Sequence, residues 1–262
     1  MNRLTALAWV GCLAALIALV VFLAEPTRIV LLSFDVTNES ADDLAFLTTT
    51  LAQYNATATF FVTGEYAQQH PDLVRGLARD YEVACSGMTR ARLPEINDTQ
   101  LAWELSACKH ILENLTGQPV AGFRAQYGLL DERAAALLSR LGYAYDASAT
   151  ENYAWFTPTP TVPELAVSSL GPFPHALLVT LGDLGYFLMR QDSDHQVSLS
   201  FEPWSIRAHR GAFQYLVSGY ADDHVTFLEH RDAFPDTAER VRPITPDLYE
   251  HPEQLLVTAQ GQ

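Results

Sequence analysis

The sequence predicts one α/β domain, built on a parallel sheet and preceded by an apolar N-terminal segment. From Arg28 onward, short β-rich runs alternate with amphipathic stretches at the spacing of successive strand-helix units. The chain has 262 residues, 48% of them hydrophobic, which allows one sizeable core and leaves little room for a second. We expect a domain at residues 25–239 and a loosely packed tail at residues 240–262, where apolar residues are few.

Residues 4–24 form an uncharged run that is long enough to span a bilayer as a helix. A cleaved signal peptide is the alternative, but its apolar core would be unusually long, and residues 22–24 lack the small residue expected two positions before Ala24. We therefore expect residues 1–24 to be an uncleaved membrane anchor. Arg3 on the inner side places the domain on the extracytoplasmic side of a single-pass cell-membrane protein.

The charge of the chain excludes one class of partner. There are 31 acidic against 16 basic residues, a net charge of −15, which repels phosphate backbones and anionic head groups. Nucleic acid is therefore not an expected partner.

Four sequons agree with an outside location, although Asn and Thr also collect at turns and helix starts. They begin at Asn38, Asn55, Asn97 and Asn114. Cys12 lies in the apolar run, and Cys85 and Cys108 are either a disulfide or two buried thiols.

The predicted elements follow in order along the domain. Strands are expected at residues 28–34, 56–62, 81–84, 120–123, 142–148, 195–201 and 224–229. Helices are expected at residues 40–54, 64–80, 98–115, 131–141 and 206–220. Ser40 or Asp42 is the predicted cap of the first helix, and Gly117 follows the third; residues 157–174 are Pro-rich and loop-like.

Several polar residues stand directly after predicted strands, where the active groups of parallel α/β folds lie. They are Asp35, residues 86–90, Arg124 and residues 202–204. A carboxylate, a guanidinium and aromatic rings suit a sugar site. The alternative is that these Asp and Arg side chains pair with each other or cap loops.

Four stretches have the order and spacing of one known family. RIVLLSFDVT (28–37) is similar to an opening strand that ends in a TFDD motif, and residues 56–84 match the following strand, helix and strand. FRAQYG (123–128) is similar to an R-x-P-Y-G motif, and HQVSLSFEPW (195–204) to a late strand that carries His-Pro-Trp. Together they resemble the polysaccharide deacetylases, or carbohydrate esterase family 4, which implies a distorted (β/α) barrel.

The resemblance implies a specific chemistry, the hydrolysis of N-acetyl groups of sugars. In the family a divalent metal, commonly zinc, is held by the second Asp of TFDD and by two His spaced H-x-x-x-H. The first Asp is the general base, the Arg of R-x-P-Y orients it, and a late His is the acid. Asp35 and Arg124 match the base and its orienting residue, so they are the candidate catalytic pair.

The ligand positions depart from the family. Val36, Ser86 and Arg90 stand where the metal ligands would be, and a fixed positive charge at Arg90 also opposes a cation. Glu202 replaces the late His. We therefore expect no metal or other cofactor and expect that Arg90 or Arg124 compensates Asp35.

The expected function is to act on or bind an envelope or extracellular carbohydrate, with the family reaction lost. Tyr127, Glu202 and Trp204 are the candidate substrate-binding residues. The alternatives are an active hydrolase with a non-standard site, in which carboxylates re-form a metal site or Ser86 is a nucleophile, and a scaffolding partner of another membrane protein.

Overall fold

The computed structural model describes residues 29–148, 196–207, 210–222, 225–233 and 241–245. The predicted anchor, the Pro-rich residues 157–174 and the tail beyond residue 245 lie outside the described residues. None of the helices in the described ranges has the length and apolar character needed to cross a membrane.

Among the described residues, seven parallel strands form the sheet, as the alternating pattern predicts. They are β1 (Ile29–Val36), β2 (Thr59–Val62), β3 (Glu82–Cys85), β4 (Gly122–Phe123), β5 (Tyr145–Asp146), β6 (Gln196–Phe201) and β7 (Thr226–Leu228). Their order is β5-β4-β3-β2-β1-β6, and β7 pairs with the first residues of β1. Over the described residues the strands make a half-barrel.

β1 is the central strand, and its alternation separates two sides of the sheet. Val30, Leu32, Phe34 and Val36 are buried in the apolar core beneath the helices. Ser33 and Asp35, on the opposite face, point into the half-barrel, because successive side chains of a strand alternate between faces. The polar residues of β1 thus share one interior with those of the neighbouring strands.

In the part of the chain that the structure describes, seven helices cover the outer side of the sheet. They are α1 (Ala41–Gln53), α2 (Gly64–Gln69), α3 (Pro71–Leu77), α4 (Asp98–Thr116), α5 (Glu132–Arg140), α6 (Pro203–Arg207) and α7 (Arg210–Asp222). Ser40 caps α1 by accepting from the Asp43 N–H, which confirms one of the two predicted caps. Gly117 ends α4 in the left-handed conformation, with φ 70°.

Two single helices predicted from the sequence are each divided. The stretch 64–80 forms α2 and α3, which meet at His70, because Pro71 lacks an N–H and fits only the first turn of a new helix. The stretch 206–220 is likewise part of α6 and α7. Local patterning predicted the helical residues but missed these breaks.

Two links hold distant parts of the domain together. Cys85, at the end of β3, forms a disulfide with Cys108 on α4, which decides the alternative that the sequence left open. Residues 241–245, in the predicted tail, are hydrogen-bonded to the domain: Arg242 N–H donates to Gly142 O at 3.2 Å, and Ile244 N–H to Glu113 Oε2 at 2.8 Å.

Candidate functional site

Arg124 is the centre of the candidate site, directly after β4. Its Nη1 donates to Asp35 Oδ1 at 3.1 Å and to Ser200 Oγ at 2.8 Å. Its Nη2 donates to Ser33 Oγ at 2.9 Å, and its Nε to Ala147 O at 3.0 Å. A guanidinium has five N–H groups, so four of them are engaged by these partners. The Arg124 side chain is therefore fixed in one orientation.

An aromatic ring lies beneath this guanidinium. The Arg124 Cζ is 3.9 Å from the centroid of the Phe61 ring, a cation–π contact inside the half-barrel. Phe61 also meets the His230 ring edge-on, at 5.5 Å between the ring centroids. Phe61 therefore contacts both the Arg124 cation and the buried imidazole.

Asp35 is the carboxylate that Arg124 compensates. The side chain of Asp35 is 26% exposed, whereas that of Arg124 is 6% exposed. Of the two partners that the sequence offered, Arg124 makes the contact, and Arg90 lies exposed on the loop after β3. The two residues that match the family's base and its orienting residue therefore form a neutral ion pair.

The three positions that the resemblance assigns to metal ligands do not fit a divalent cation. Val36 is fully buried and faces the helical layer, away from Asp35. The Ser86 hydroxyl is buried, donates to Arg124 O at 3.0 Å and accepts from Gln126 Nε2 at 2.7 Å. Arg90 brings a positive charge. Within the described ranges, no three or more His, Cys, Asp or Glu side chains are grouped as a metal site.

The rim of the site carries the aromatic residues that the sequence singled out. Tyr127 is 58% exposed, and the Arg92 guanidinium lies 5.4 Å from its ring centroid. Trp204 is 59% exposed, and its indole N–H donates to the Glu202 carboxylate. Glu202 follows Phe201, which pairs with Phe34, so the register puts Glu202 level with Asp35.

The loop after β3 is held by three hydrogen bonds, two to the start of α2 and one to α4. Gly64 N–H donates to Gly87 O at 3.0 Å and Glu65 N–H to Met88 O at 2.8 Å. Thr89 N–H donates to Glu104 Oε2 at 2.8 Å, from the inner face of α4. Glu104 was not predicted from the sequence, and the available signal was its position beside the apolar Leu105 in a helix. Arg90 and Arg92 therefore stand on a loop whose backbone is fixed by these hydrogen bonds.

A second polar layer, also missed from the sequence, lies deeper in the half-barrel. Glu82 is fully buried and accepts from Thr59 Oγ1 at 2.8 Å, Tyr145 Oη at 2.9 Å and the Arg231 N–H at 3.0 Å. Burial raises the pKa of Glu82 to about 7, because desolvation disfavours its charged form. The available sequence signal was the place of Glu82 at the start of an apolar strand.

His230 belongs to the same layer. Its Nδ1 lies 3.2 Å from Thr59 Oγ1 and its Nε2 lies 3.4 Å from Ser198 Oγ. Burial holds the pKa of His230 well below its usual value, and the Arg124 charge acts in the same direction. Thr59 Oγ1 is also hydrogen-bonded to Glu82 Oε2, so one hydroxyl links the imidazole to the buried carboxyl.

A groove of about 980 Å³ lies elsewhere, between α1 and α3. Asn55 and Thr57, ahead of β2, and Phe227 of β7 are among its lining residues. These residues lie toward the amino ends of the strands, whereas Asp35, Arg124 and Trp204 lie at the carboxyl ends. The groove is therefore separate from the candidate site.

The sequence of this chain matches one family model and one curated protein over part of its length. The family model described as polysaccharide deacetylase matches residues 24–145. A curated relative, an uncharacterised 30.6 kDa protein of Geobacillus stearothermophilus, is 32% identical over 95 residues, which span 36% of each protein.

Solved structures are similar to this one over most of the chain. Their sequence identities to this chain are low, so the similarity shows the fold alone. A protein from Mycobacterium smegmatis, provisionally assigned as a polysaccharide deacetylase, has a TM-score of 0.64 at 20% identity, over 85% of this chain and 94% of that one. A carbohydrate esterase family 4 pseudoenzyme from Bacillus anthracis has a TM-score of 0.60 at 12% identity, over 79% and 66%. A peptidoglycan deacetylase from Bacillus subtilis has a TM-score of 0.59 at 13% identity, over 87% and 97%. The chain therefore has the polysaccharide deacetylase fold, with a match to that family's model over residues 24–145.

Proposed function

We propose that this protein binds an envelope or extracellular glycan on a polysaccharide deacetylase fold, and that metal-dependent removal of N-acetyl groups has been lost. The observation that carries the proposal is the set of side chains at the three ligand positions: Val36 is buried beneath the helices, Ser86 offers only a hydroxyl, and Arg90 is a cation. A catalytic zinc site takes three protein ligands of the His, Cys, Asp or Glu type. The pair of Asp35 and Arg124 keeps the arrangement that the resemblance implies for the base, so the missing ligands support the loss of the reaction.

The exposed rim supports binding. Sugars are held by aromatic faces and by polar groups of fixed direction. Tyr127 and Trp204 offer such faces at the carboxyl edge, while Glu202 and Arg92 contact them and supply hydrogen-bonding groups beside the rings. These side chains stand on a rigid sheet edge and a firmly held loop, so little ordering is required when a glycan binds.

The location outside the cell is part of the same proposal. Residues 4–24 are proposed as the anchor, and the disulfide between Cys85 and Cys108 is a bond that persists in oxidising compartments. A domain held in this way would meet glycans of the envelope.

Binding is tested with the full chain in detergent on arrays of N-acetylated glycans. Tyr127→Ala and Trp204→Ala should each lower glycan affinity by about tenfold or more, the loss expected for one aromatic contact. Trp103→Ala and Tyr215→Ala are matched controls, because these rings are similarly exposed, at 42% and 45%, on α4 and α7. Equal losses in all four variants would contradict a specific site.

Metal content is tested by zinc and cobalt titration of the same preparation, with calorimetry and elemental analysis. The proposal expects no stoichiometric binding and no acetate release from N-acetylated sugars. Stoichiometric binding together with acetate release would refute the loss of the family reaction.

A second candidate is a hydrolase with a non-standard site. It is favoured by the partial exposure of Asp35 and by Glu202 standing level with it, which brings two carboxylates to one edge. Acetate release that is abolished by Asp35→Asn, without a loss of stability, would favour this candidate. If neither acetate release nor glycan binding is found, the remaining hypothesis is a scaffolding role beside another membrane protein.

A further inference from the structure

We propose that the amino ends of the strands face the membrane, so that the glycan site points away from the bilayer. This orientation rests on the proposed anchoring through residues 4–24. It adds a membrane-facing surface, the loops around the amino ends of the strands, which is the end of the domain that an anionic phospholipid layer repels least.

The short tether excludes the inverted orientation. Five Cα–Cα steps join Ala24, the last residue of the apolar run, to Ile29, the first residue of β1, and five extended steps reach about 18 Å at most. β1 has eight residues and is about 26 Å long. If the carboxyl edge faced the bilayer, Ile29 would stand at least that far above it, beyond the reach of the tether.

Charge decides between an upright domain and one that lies on its side. Over the described residues, the loops and last helical turns around the amino ends carry five arginines against five carboxylates: Arg75, Arg79, Arg140, Arg231 and Arg242 against Asp80, Glu113, Asp222, Glu229 and Asp232. Within the same described ranges, the strand ends, loops and first helical turns around the carboxyl ends carry six arginines against at least ten carboxylates: Arg90, Arg92, Arg124, Arg133, Arg207 and Arg210 against Asp35, Glu39, Asp42, Asp43, Glu65, Glu95, Asp98, Asp131, Glu132 and Glu202.

An anionic surface therefore repels the carboxyl edge more than the amino end. Basic residues near such a surface are attracted to it and acidic residues are repelled, and both effects fade within a Debye length of about 8–10 Å. The upright domain keeps its acidic edge beyond that distance. In a chain with a net charge of −15, this is the orientation of least repulsion.

The orientation narrows the class of glycan. A site about 26 Å or more above the bilayer cannot reach a sugar attached to a lipid head group of the same leaflet. It can reach a polymer that extends outward from the membrane. The proposed ligand is therefore an outward-reaching polysaccharide rather than a membrane glycolipid.

The two ends of α4 provide a matched pair of probes. Gln100 and Gln118 are both exposed, the first in the turn next to the carboxyl edge and the second just beyond Gly117, at the amino end of the sheet. Gln118→Cys and Gln100→Cys, each in a Cys12→Ser background, are labelled with one small donor fluorophore. The full chain is then reconstituted into vesicles of phosphatidylcholine and phosphatidylglycerol with an acceptor on the head groups.

Flotation of the vesicles is measured first, and then the energy transfer from each label. The expected result is co-flotation with the vesicles and transfer several-fold stronger from position 118 than from position 100. The ratio should rise with the phosphatidylglycerol fraction and fall with added salt. Unchanged thermal midpoints of both variants show that the labels report on the folded domain.

Each other outcome counts against a distinct statement. Equal transfer from both positions, or stronger transfer from position 100, would overturn the orientation while leaving the anchor in place. A chain that does not float would overturn the anchor and this orientation with it. The glycan arrays remain a separate test, so failure of glycan binding is distinguishable from both.

Discussion

Replacement of Arg124 by Met tests whether the pair of Asp35 and Arg124 stabilises the fold. Arg124→Met keeps an aliphatic stem over Phe61 but removes four donated hydrogen bonds and the charge that compensates Asp35. Breaking a buried ion pair costs about 3–5 kcal/mol, and we expect about 3 kcal/mol because Asp35 is a quarter exposed and its charge is partly screened. Asp35→Asn retains a hydrogen-bond acceptor and should cost about 1 kcal/mol.

The assay is urea unfolding of the full chain in detergent, followed by circular dichroism, for both single variants and the double variant. The double-mutant cycle should give a coupling energy between the two side chains of about 1–3 kcal/mol. A cost below about 1 kcal/mol for Arg124→Met, or a gain in stability for Asp35→Asn, would refute a structural ion pair. A stabilising Asp35 variant would instead indicate a carboxylate kept for chemistry.

Four further predictions concern the buried charges and the core. Burial raises the pKa of Glu82 from 4.5 to about 7, which contributes about 3 kcal/mol of stability that is present below about pH 4.5 and lost as the pH rises through 7. Glu82→Gln should remove this loss when urea unfolding is measured across pH. A variant that keeps the wild-type pH dependence would contradict this prediction. His230 has the opposite sign, since its lowered pKa costs stability as the pH falls below 6.5, and that slope should be plainer in Glu82→Gln. Val36→Asp places a carboxylate beneath the helices and should lower the free energy of unfolding by more than about 3 kcal/mol. The variant should also bind no zinc in calorimetry. A zinc-binding variant of wild-type stability would show that the side chain at position 36 can turn to the site. Glu113→Ala leaves the buried charge of Lys109 uncompensated and should lower the free energy of unfolding by about 3–5 kcal/mol. Lys109→Met should cost less, because Glu113 still accepts from the Val120 and Ile244 N–H groups. Equal thermal midpoints of the two variants would contradict this asymmetry.

The parallel sheet and most element positions could be predicted, because they depend on local pattern. β1, the Ser40 cap and the end of α4 at Gly117 follow from residues that are close in sequence. The break at His70 was missed because helical periodicity continues through Pro71. The disulfide was left open because the spacing of two cysteines does not fix whether they meet.

The candidate site was predictable only in its upper layer. Asp35 and Arg124 stand after strands, so their meeting at the carboxyl edge follows from the parallel arrangement. The deeper layer could not be inferred, because the partners of Glu82 include Arg231, 149 positions away, and Glu229, 147 positions away. No local pattern marks such contacts, and His230 had no sequence signal that set it apart from a turn residue.

The way β1 acquires its neighbours bears on how the protein is made. β1 is among the first parts of the domain to be synthesised, but β6 pairs with residues 29–34 along one edge and β7 with residues 29–31 along the other. Both partners are synthesised at least about 160 residues later, as the Ser33–Leu199 contact at a separation of 166 illustrates. Pairing of such non-local strands is slow, and an unpaired apolar strand is a site of aggregation. Ribosome-bound chains that end before residue 196 should therefore be protease-sensitive and bound by chaperones, and protection should appear only when β7 has emerged.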